Sequence, residues 1–155
     1  MTGPRSIDGA QSLLFEKLID LDPKSSHDPQ EFRVLGLDDL KASIKRELER
    51  LLDTRRSVGI GDEKITPPPE TVLDYGLPDW STLSPTSGQD MEALARAARI
   101  AIRAFEPRLL DPVVTVVRPK DGVNRITLVI KGSVRLDTVV EPVSFPIDFS
   151  NVVRL

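Results

Sequence analysis

The sequence contains no cysteine, and among its 155 residues there is one histidine, one tryptophan and one tyrosine. Without cysteine there is no disulfide framework, no thiolate nucleophile and no Cys-ligated zinc or iron–sulfur site. The lone His27 excludes any site that needs two imidazoles, and a Ser-His-Asp triad has only that one base to draw on. Positive charge is not in excess either: 21 Lys and Arg face 24 Asp and Glu, a net charge of −3. No basic run is present to meet a nucleic-acid backbone or an anionic membrane surface. Apolar runs stop after a few residues, against the roughly 20 needed to cross a bilayer. Met1-Thr2-Gly3-Pro4-Arg5 lacks the charged and apolar regions of a signal peptide, so a soluble, cytoplasmic chain is expected. Hydrophobic residues make up 39%, enough for one core but lean, a composition that hints at life in contact with partners.

What is present is periodic. Leu14, Leu18 and Leu21 with Phe15 and Ile19 predict a helix over Ala10–Leu21, capped by Asp8 and ended by Pro23. A polar loop, Lys24–Gln30, then carries His27. Leu40, Ile44, Leu48 and Leu51 predict a second helix, with Asp38 or Asp39 as its cap, a Lys45–Glu49 pair on its polar face, and Arg55 and Arg56 in its last turn. Residues 57–87 form a long connection rich in proline and glycine, in which Tyr75 and Trp80 flank a turn expected to pack on the core. Met91, Leu94, Ala98, Ala101 and Phe105 predict a third helix that starts near Ser87, with Asp90 closing a capping box, and stops at Pro107.

From Val113 the period becomes two. Strands are predicted over Val113–Arg118, Ile126–Leu136 (with Gly132 as a bulge) and Val143–Phe149, the first pair joined by a turn at Pro119–Gly122. Pro142 and Pro146 share one parity and strip donors from one lateral side of the last strand, which places it at a sheet edge or beside a partner that does not need those donors. The fold class is α+β: three helices followed by a three-stranded antiparallel meander. One domain over 10–150 lies between a flexible N-terminus, 1–9, and a C-terminal tail, 151–155.

Candidate chemistry is sparse. Glu16, Glu31, Glu47, Glu49, Glu92 and Glu106 are the carboxylates from which glycoside cleavage would draw an acid and a base, but most sit on polar helix faces where solvation is the ordinary outcome. Asp38-Asp39 and Asp62-Glu63 lack calcium-loop spacing. Gly59-Ile60-Gly61 lacks the preceding strand and third glycine of a phosphate loop. Arg96, Arg99 and Arg103 read as a solvated helix face. The segment Glu106-Pro107-Arg108 stands out: an acid and a base flank a helix-ending proline, between Phe105 and Leu109. Two readings remain open there. The charges close on each other at the helix C-terminus, or they project from a rigid corner toward another chain.

Four motifs in order carry a resemblance: Leu14-Phe15-Glu16-Lys17-Leu18, the run from Ser43-Ile44-Lys45-Arg46-Glu47-Leu48 to Asp53-Thr54-Arg55, Tyr75-Gly76-Leu77-Pro78-Asp79, and Phe105-Glu106-Pro107-Arg108-Leu109. Over roughly residues 13–149 the chain resembles TssE, the baseplate subunit of bacterial type VI secretion systems, related to the lysozyme-like baseplate wedge protein, or sheath initiator, of contractile-tail phages. Glu47 and Asp53 stand where that family has Asp and Asn, keeping the polarity. The resemblance implies a structural, non-enzymatic subunit with no cofactor, metal or small-molecule ligand. It implies a place in the cytoplasmic baseplate at the inner face of the inner membrane, bound to TssF, TssG and TssK and joined to the TssB/TssC sheath. It implies that Glu106, Pro107 and Arg108 contact the wedge, and that the strands resemble the sheath's handshake domain and nucleate its polymerisation. On this view Glu106→Ala or Arg108→Ala leaves the domain folded but uncoupled from the wedge. The rival class is a peptidoglycan-cleaving enzyme using a carboxylate pair.

Overall fold

The computed structural model describes residues 10–11, 24, 34–56, 71–81, 83–84, 86–118 and 126–149. The expected termini 1–9 and 151–155, His27 and the turn at 119–122 lie outside them. So does most of the helix expected over Ala10–Leu21. Its first two residues are not helical: β1 (Ala10–Gln11) pairs antiparallel with β2 (Val34–Leu35). Two α-helices are therefore found among the described residues, where three were expected.

Helix α1 (Leu37–Asp53) buries Leu40, Ile44, Leu48 and Leu51, as the three-and-four spacing requires, and Ser43 and Leu52 beside them. Its cap is Gly36, whose carbonyl accepts from the Leu40 N–H at 2.9 Å. Asp38 and Asp39 lie inside the first turn, not at the cap; there they face the positive end of the helix dipole. The far end also differs from expectation. The helix stops at Asp53, Thr54 Oγ1 donates back to the Arg50 carbonyl at 2.7 Å, and Arg55 and Arg56 run on in extended chain. Lys45 and Glu49 do meet, at 3.7 Å and half exposed, a contact worth a few tenths of a kcal/mol.

A 3-10 turn, η1 (Val72–Asp74), follows in chain order. Beyond it, Arg55 and Leu77 form a parallel bridge: Leu77 N–H donates to the Thr54 carbonyl at 2.9 Å and Arg56 N–H to the Leu77 carbonyl at 2.7 Å. The turn between the two aromatics packs on the core as expected. Tyr75 meets Phe105 edge-on at 5.2 Å between centroids, and Trp80 meets Phe149 at 4.2 Å.

Helix α2 (Gly88–Phe105) buries Met91, Leu94, Ala98, Ala101 and Ile102. Ser87 caps it by accepting from Asp90 N–H at 3.2 Å, but the box does not close: the Asp90 carboxylate accepts from Ser84 N–H instead, at 2.8 Å. The sheet is the expected meander, ordered β3-β4-β5, from β3 (Leu109–Val117), β4 (Ile126–Leu136) and β5 (Val139–Phe149). Ile126, Leu128, Ile130 and Val134 of β4 and Val143, Phe145, Ile147 and Phe149 of β5 all face the helices.

Two strands are longer than their periodicity suggested. β3 begins at Leu109 and carries the irregularity, between Leu110 and Val113, where Asp111 adopts φ 48° ahead of Pro112. Gly132 is not itself a bulge, since β4 pairs with β5 without interruption through Gly132↔Val143. It lies opposite the β3 bulge, where a Cβ would stand 2.8 Å from the Leu109 side chain and the Leu110 carbonyl. β5 begins at Val139, after the two-residue turn Asp137-Thr138.

Candidate partner-binding site

The corner between α2 and β3 resolves the two readings of its charges. Proline cannot continue the helix, so the chain turns at Glu106, whose N–H still closes on the Ile102 carbonyl at 2.8 Å. The turn sends the Glu106 side chain inward, where the residue is 3% exposed. Arg108, two residues on, meets it fork to fork: Nε donates to Oε1 at 2.7 Å and Nη2 to Oε2 at 2.6 Å. The Arg108 backbone N–H also reaches Oε1, at 3.3 Å, and Leu109 N–H closes on the Glu106 carbonyl at 3.2 Å. This is the geometry in which a guanidinium–carboxylate pair is strongest. The charges close on each other; the carboxylate does not project.

The pair is also tied to the rest of the molecule. Arg108 Nη1 donates to Ser43 Oγ on α1 at 2.8 Å, across 65 residues of chain. Ser43 is 1% exposed. One guanidinium thus pins α1 to the α2–β3 corner. Sequence reasoning named Glu106, Pro107 and Arg108 and missed Ser43. A signal was there: Ser43 lies three residues after Leu40 and next to Ile44, so a small polar group sits on the buried stripe, where it needs a partner. Of the three named residues, Pro107 is exposed and the Arg108 side chain keeps 17% of its surface.

Tyr75 lies beside this corner. Burial raises its hydroxyl above the ordinary tyrosine range, Glu47 and Glu106 add to the shift, and Arg50 opposes it. A folded-state value above the unfolded one means a contribution to stability that is present below the unfolded value and lost as pH rises through the folded one. Because the chain has no other tyrosine, an ultraviolet titration of phenolate absorbance reads it directly. The folded protein is expected to ionise later than the denatured chain; coincident titrations would refute the placement.

The sheet presents two edges. The β4–β5 ladder is unbroken from Ile126↔Phe149 to Leu136↔Val139, through Val129↔Pro146 and Ser133↔Pro142. Proline has no N–H to give, so even-numbered β5 residues must point their backbone away from β4. The outer edge of β5 therefore offers carbonyls at 142, 144, 146 and 148 but lacks N–H groups at 142 and 146. It also borders α1 across a cleft of about 440 Å³ lined by Lys45, Glu49 and Asp53 on one side and Pro146–Phe149 on the other. By the same parity, Val113, Thr115 and Val117 bond to β4, and Val114 and Val116 turn their N–H and C=O groups outward from β3. No described strand pairs there.

The clamp thus fixes the corner from which β3 runs, and no described strand pairs with the outer edge of β3. The sequence profile of the family described as baseplate wedge protein gp25 matches residues 38–139, from the first turn of α1 to the first residue of β5, and the chain belongs to that family of structural baseplate proteins. The matched span includes the whole Ser43–Glu106–Arg108 clamp. No curated protein matches the chain. Among the described residues no helix is long and apolar enough to cross a membrane.

Proposed function

We propose that the chain is the TssE-type subunit of a type VI secretion baseplate, placed at the cytoplasmic face of the inner membrane. There it joins the wedge subunits TssF, TssG and TssK to the TssB/TssC sheath and starts sheath polymerisation. The observation that carries the reading is the asymmetry of the sheet: β5 is closed to an added strand by Pro142 and Pro146, whereas no described strand pairs with β3 at Val114 and Val116. An extended arm from a sheath subunit adds to that open edge. The corner serves the wedge. With Glu106 buried, it is exposed Pro107 and the outer side of Arg108 that meet the wedge core, on a backbone the clamp holds rigid. Among the described residues no observation favours the peptidoglycan-cleaving alternative: Glu47, Glu49, Glu92 and Glu106 are each ion-paired, at 2.7, 3.7, 3.7 and 2.6 Å, and Glu16 and Glu31 lie outside those residues.

Seeded assembly of purified TssB/TssC tests the proposal. Val114→Pro removes one outward N–H without touching the β4 ladder; since the Val114 side chain is also partly buried against the core, the variant's melting temperature is recorded alongside, and while folded it is expected to slow seeding roughly tenfold, the equivalent of one lost hydrogen bond of about 1.4 kcal/mol. Ser144→Pro, the same change on the closed edge, is expected to seed as the wild type does. Equal rates for both variants would end the strand-addition reading.

A further inference from the structure

We infer that the strand added to the outer edge of β3 is acidic on one face, and that its carboxylates meet a row of arginines on α2. This rests on the reading of that edge as the place of strand addition, and names the chemistry of what is added. Arg96, Arg99 and Arg103 are all exposed. Arg96 reaches Glu92 at 3.7 Å. Arg99 and Arg103 meet no carboxylate among the described residues. Solvated arginines are ordinary on a helix. A row of them beside an unpaired strand edge sets two requirements on one occupant.

Spacing and burial place the row. α2 lies on β3 and α1 on β5, and the two helices touch. One flank of α2 therefore turns toward α1 and the other overhangs the outer edge of β3. Ala98, wholly buried, marks the line of α2 that faces the core. At ~3.6 residues per turn, Ala97 and Ala104 fall to one side of that line, and Arg99 and Arg103 to the other. Ala97 packs against the core and Ala104 is half-buried, so theirs is the flank toward α1. The arginines take the flank over the edge. The handedness of L-residues gives the same answer independently. β3 runs back beneath α2 after the corner, with Val114 and Val116 packed toward the helices. Their backbone N–H groups then point to the side that Arg99 occupies.

Edge and row together define the occupant. From Val113 to Val117, β3 carries neither charge nor proline, the usual guards of an edge strand. Val113, 57% exposed, and Val117, 45%, lie with Thr115 on the face away from the helices. An added strand follows the same pleat, so its side chains alternate between that face and the helix layer. Those beside Val113 and Val117 pair best when they are β-branched. Those on the helix side pass beneath Arg99 and Arg103, where a carboxylate is attracted and an ammonium repelled. The strand that fits alternates apolar and acidic residues.

Labelled peptides of the nine-residue length of β3 are the probe, with valine alternating with glutamate, glutamine or lysine. Binding to the full chain is followed by fluorescence anisotropy. The glutamate peptide is expected to bind about five- to tenfold tighter than the glutamine peptide at low salt, and the lysine peptide weakest. Added salt is expected to shrink the difference. Arg99→Gln with Arg103→Gln is expected to erase the preference and leave the affinity for the glutamine peptide as it was. Arg99→Glu with Arg103→Glu is expected to favour the lysine peptide. Val114→Pro, read below its melting temperature, acts on the edge and is expected to weaken all three. Equal binding of the glutamate and glutamine peptides to the wild type overturns the acidic strand. So does a preference that survives the loss of both arginines. In either case strand addition itself stands if Val114→Pro weakens binding. If Val114→Pro does not, or if no peptide binds, both readings fall.

Discussion

Replacing Glu106 with alanine is expected to cost about 3 kcal/mol of stability, because it strands a largely buried guanidinium that now has a carboxylate on two of its nitrogens. For a chain of 155 residues that is a fall of about 6–12 °C in melting temperature. The direction of the argument matters. A buried ion pair is weak evidence of net stabilisation, since desolvating both charges offsets much of their attraction. Removing one partner is a different experiment: the desolvation of the other stays and its compensation goes. Arg108 keeps 17% of its side-chain surface and so recovers some hydration, which sets the effect at the lower end of the range for buried pairs.

This changes what a loss of wedge binding in Glu106→Ala would mean. The resemblance alone led to the expectation of a folded, uncoupled variant. With Glu106 3% exposed, uncoupling by that variant includes the loosening of the corner. A cycle separates the parts. Glu106→Ala with Arg108→Met removes both charges and leaves an apolar stem over Ser43, so it is expected to be more stable than Glu106→Ala alone. Chemical denaturation of the four proteins measures it. A single variant within about 0.5 kcal/mol of the wild type, the scatter of ordinary surface changes, would show that the pair holds nothing.

How far the sequence could be read depended on where the determining information lay. Period-two alternation over Ile126–Leu136 and Val143–Phe149 gave the sheet and its buried face, because each of those side chains answers to a single face. Pro142 and Pro146 even gave the edge, since a missing N–H is a property of the residue itself. The bulge went to the wrong strand because Gly132 advertises it, whereas the extra residues are Asp111 and Pro112 of the neighbour; one strand's glycine records the other's crowding. Asp38 and Asp39 were favoured as caps by composition, and the cap fell to Gly36 because burial of Leu37 and Leu40 starts the helix earlier. At the corner, the residue identities were legible and their direction was not. The fork between Glu106 and Arg108 is local, but the bond that ties it inward runs from Arg108 to Ser43, 65 residues earlier in the chain, and no local pattern carries that.

Gly76→Ala is expected to be the most damaging small change in the connection, at about 2–4 kcal/mol. Gly76 sits at φ 104°, where a side chain is strained whatever the space. There is also no space: a Cβ would lie 2.4 Å from the Thr54 carbonyl oxygen and 2.9 Å from its carbon. That carbonyl is fixed by the Leu77 N–H it accepts from, so relief requires the bridge between Arg55 and Leu77 to open. Leu77 is then pulled from a fully buried position and Tyr75 from Phe105. The consequence reaches function through the same contacts. Once Tyr75 is released, its ring contact with Phe105, the residue before Glu106, is lost, and under the proposed wedge role the variant is expected to bind its partner less well even below its own melting temperature. Thermal unfolding and the single tyrosine's fluorescence-detected or ultraviolet titration check both steps. An alanine variant that melts with the wild type and titrates as late would mean the backbone at Gly76 does not hold the turn.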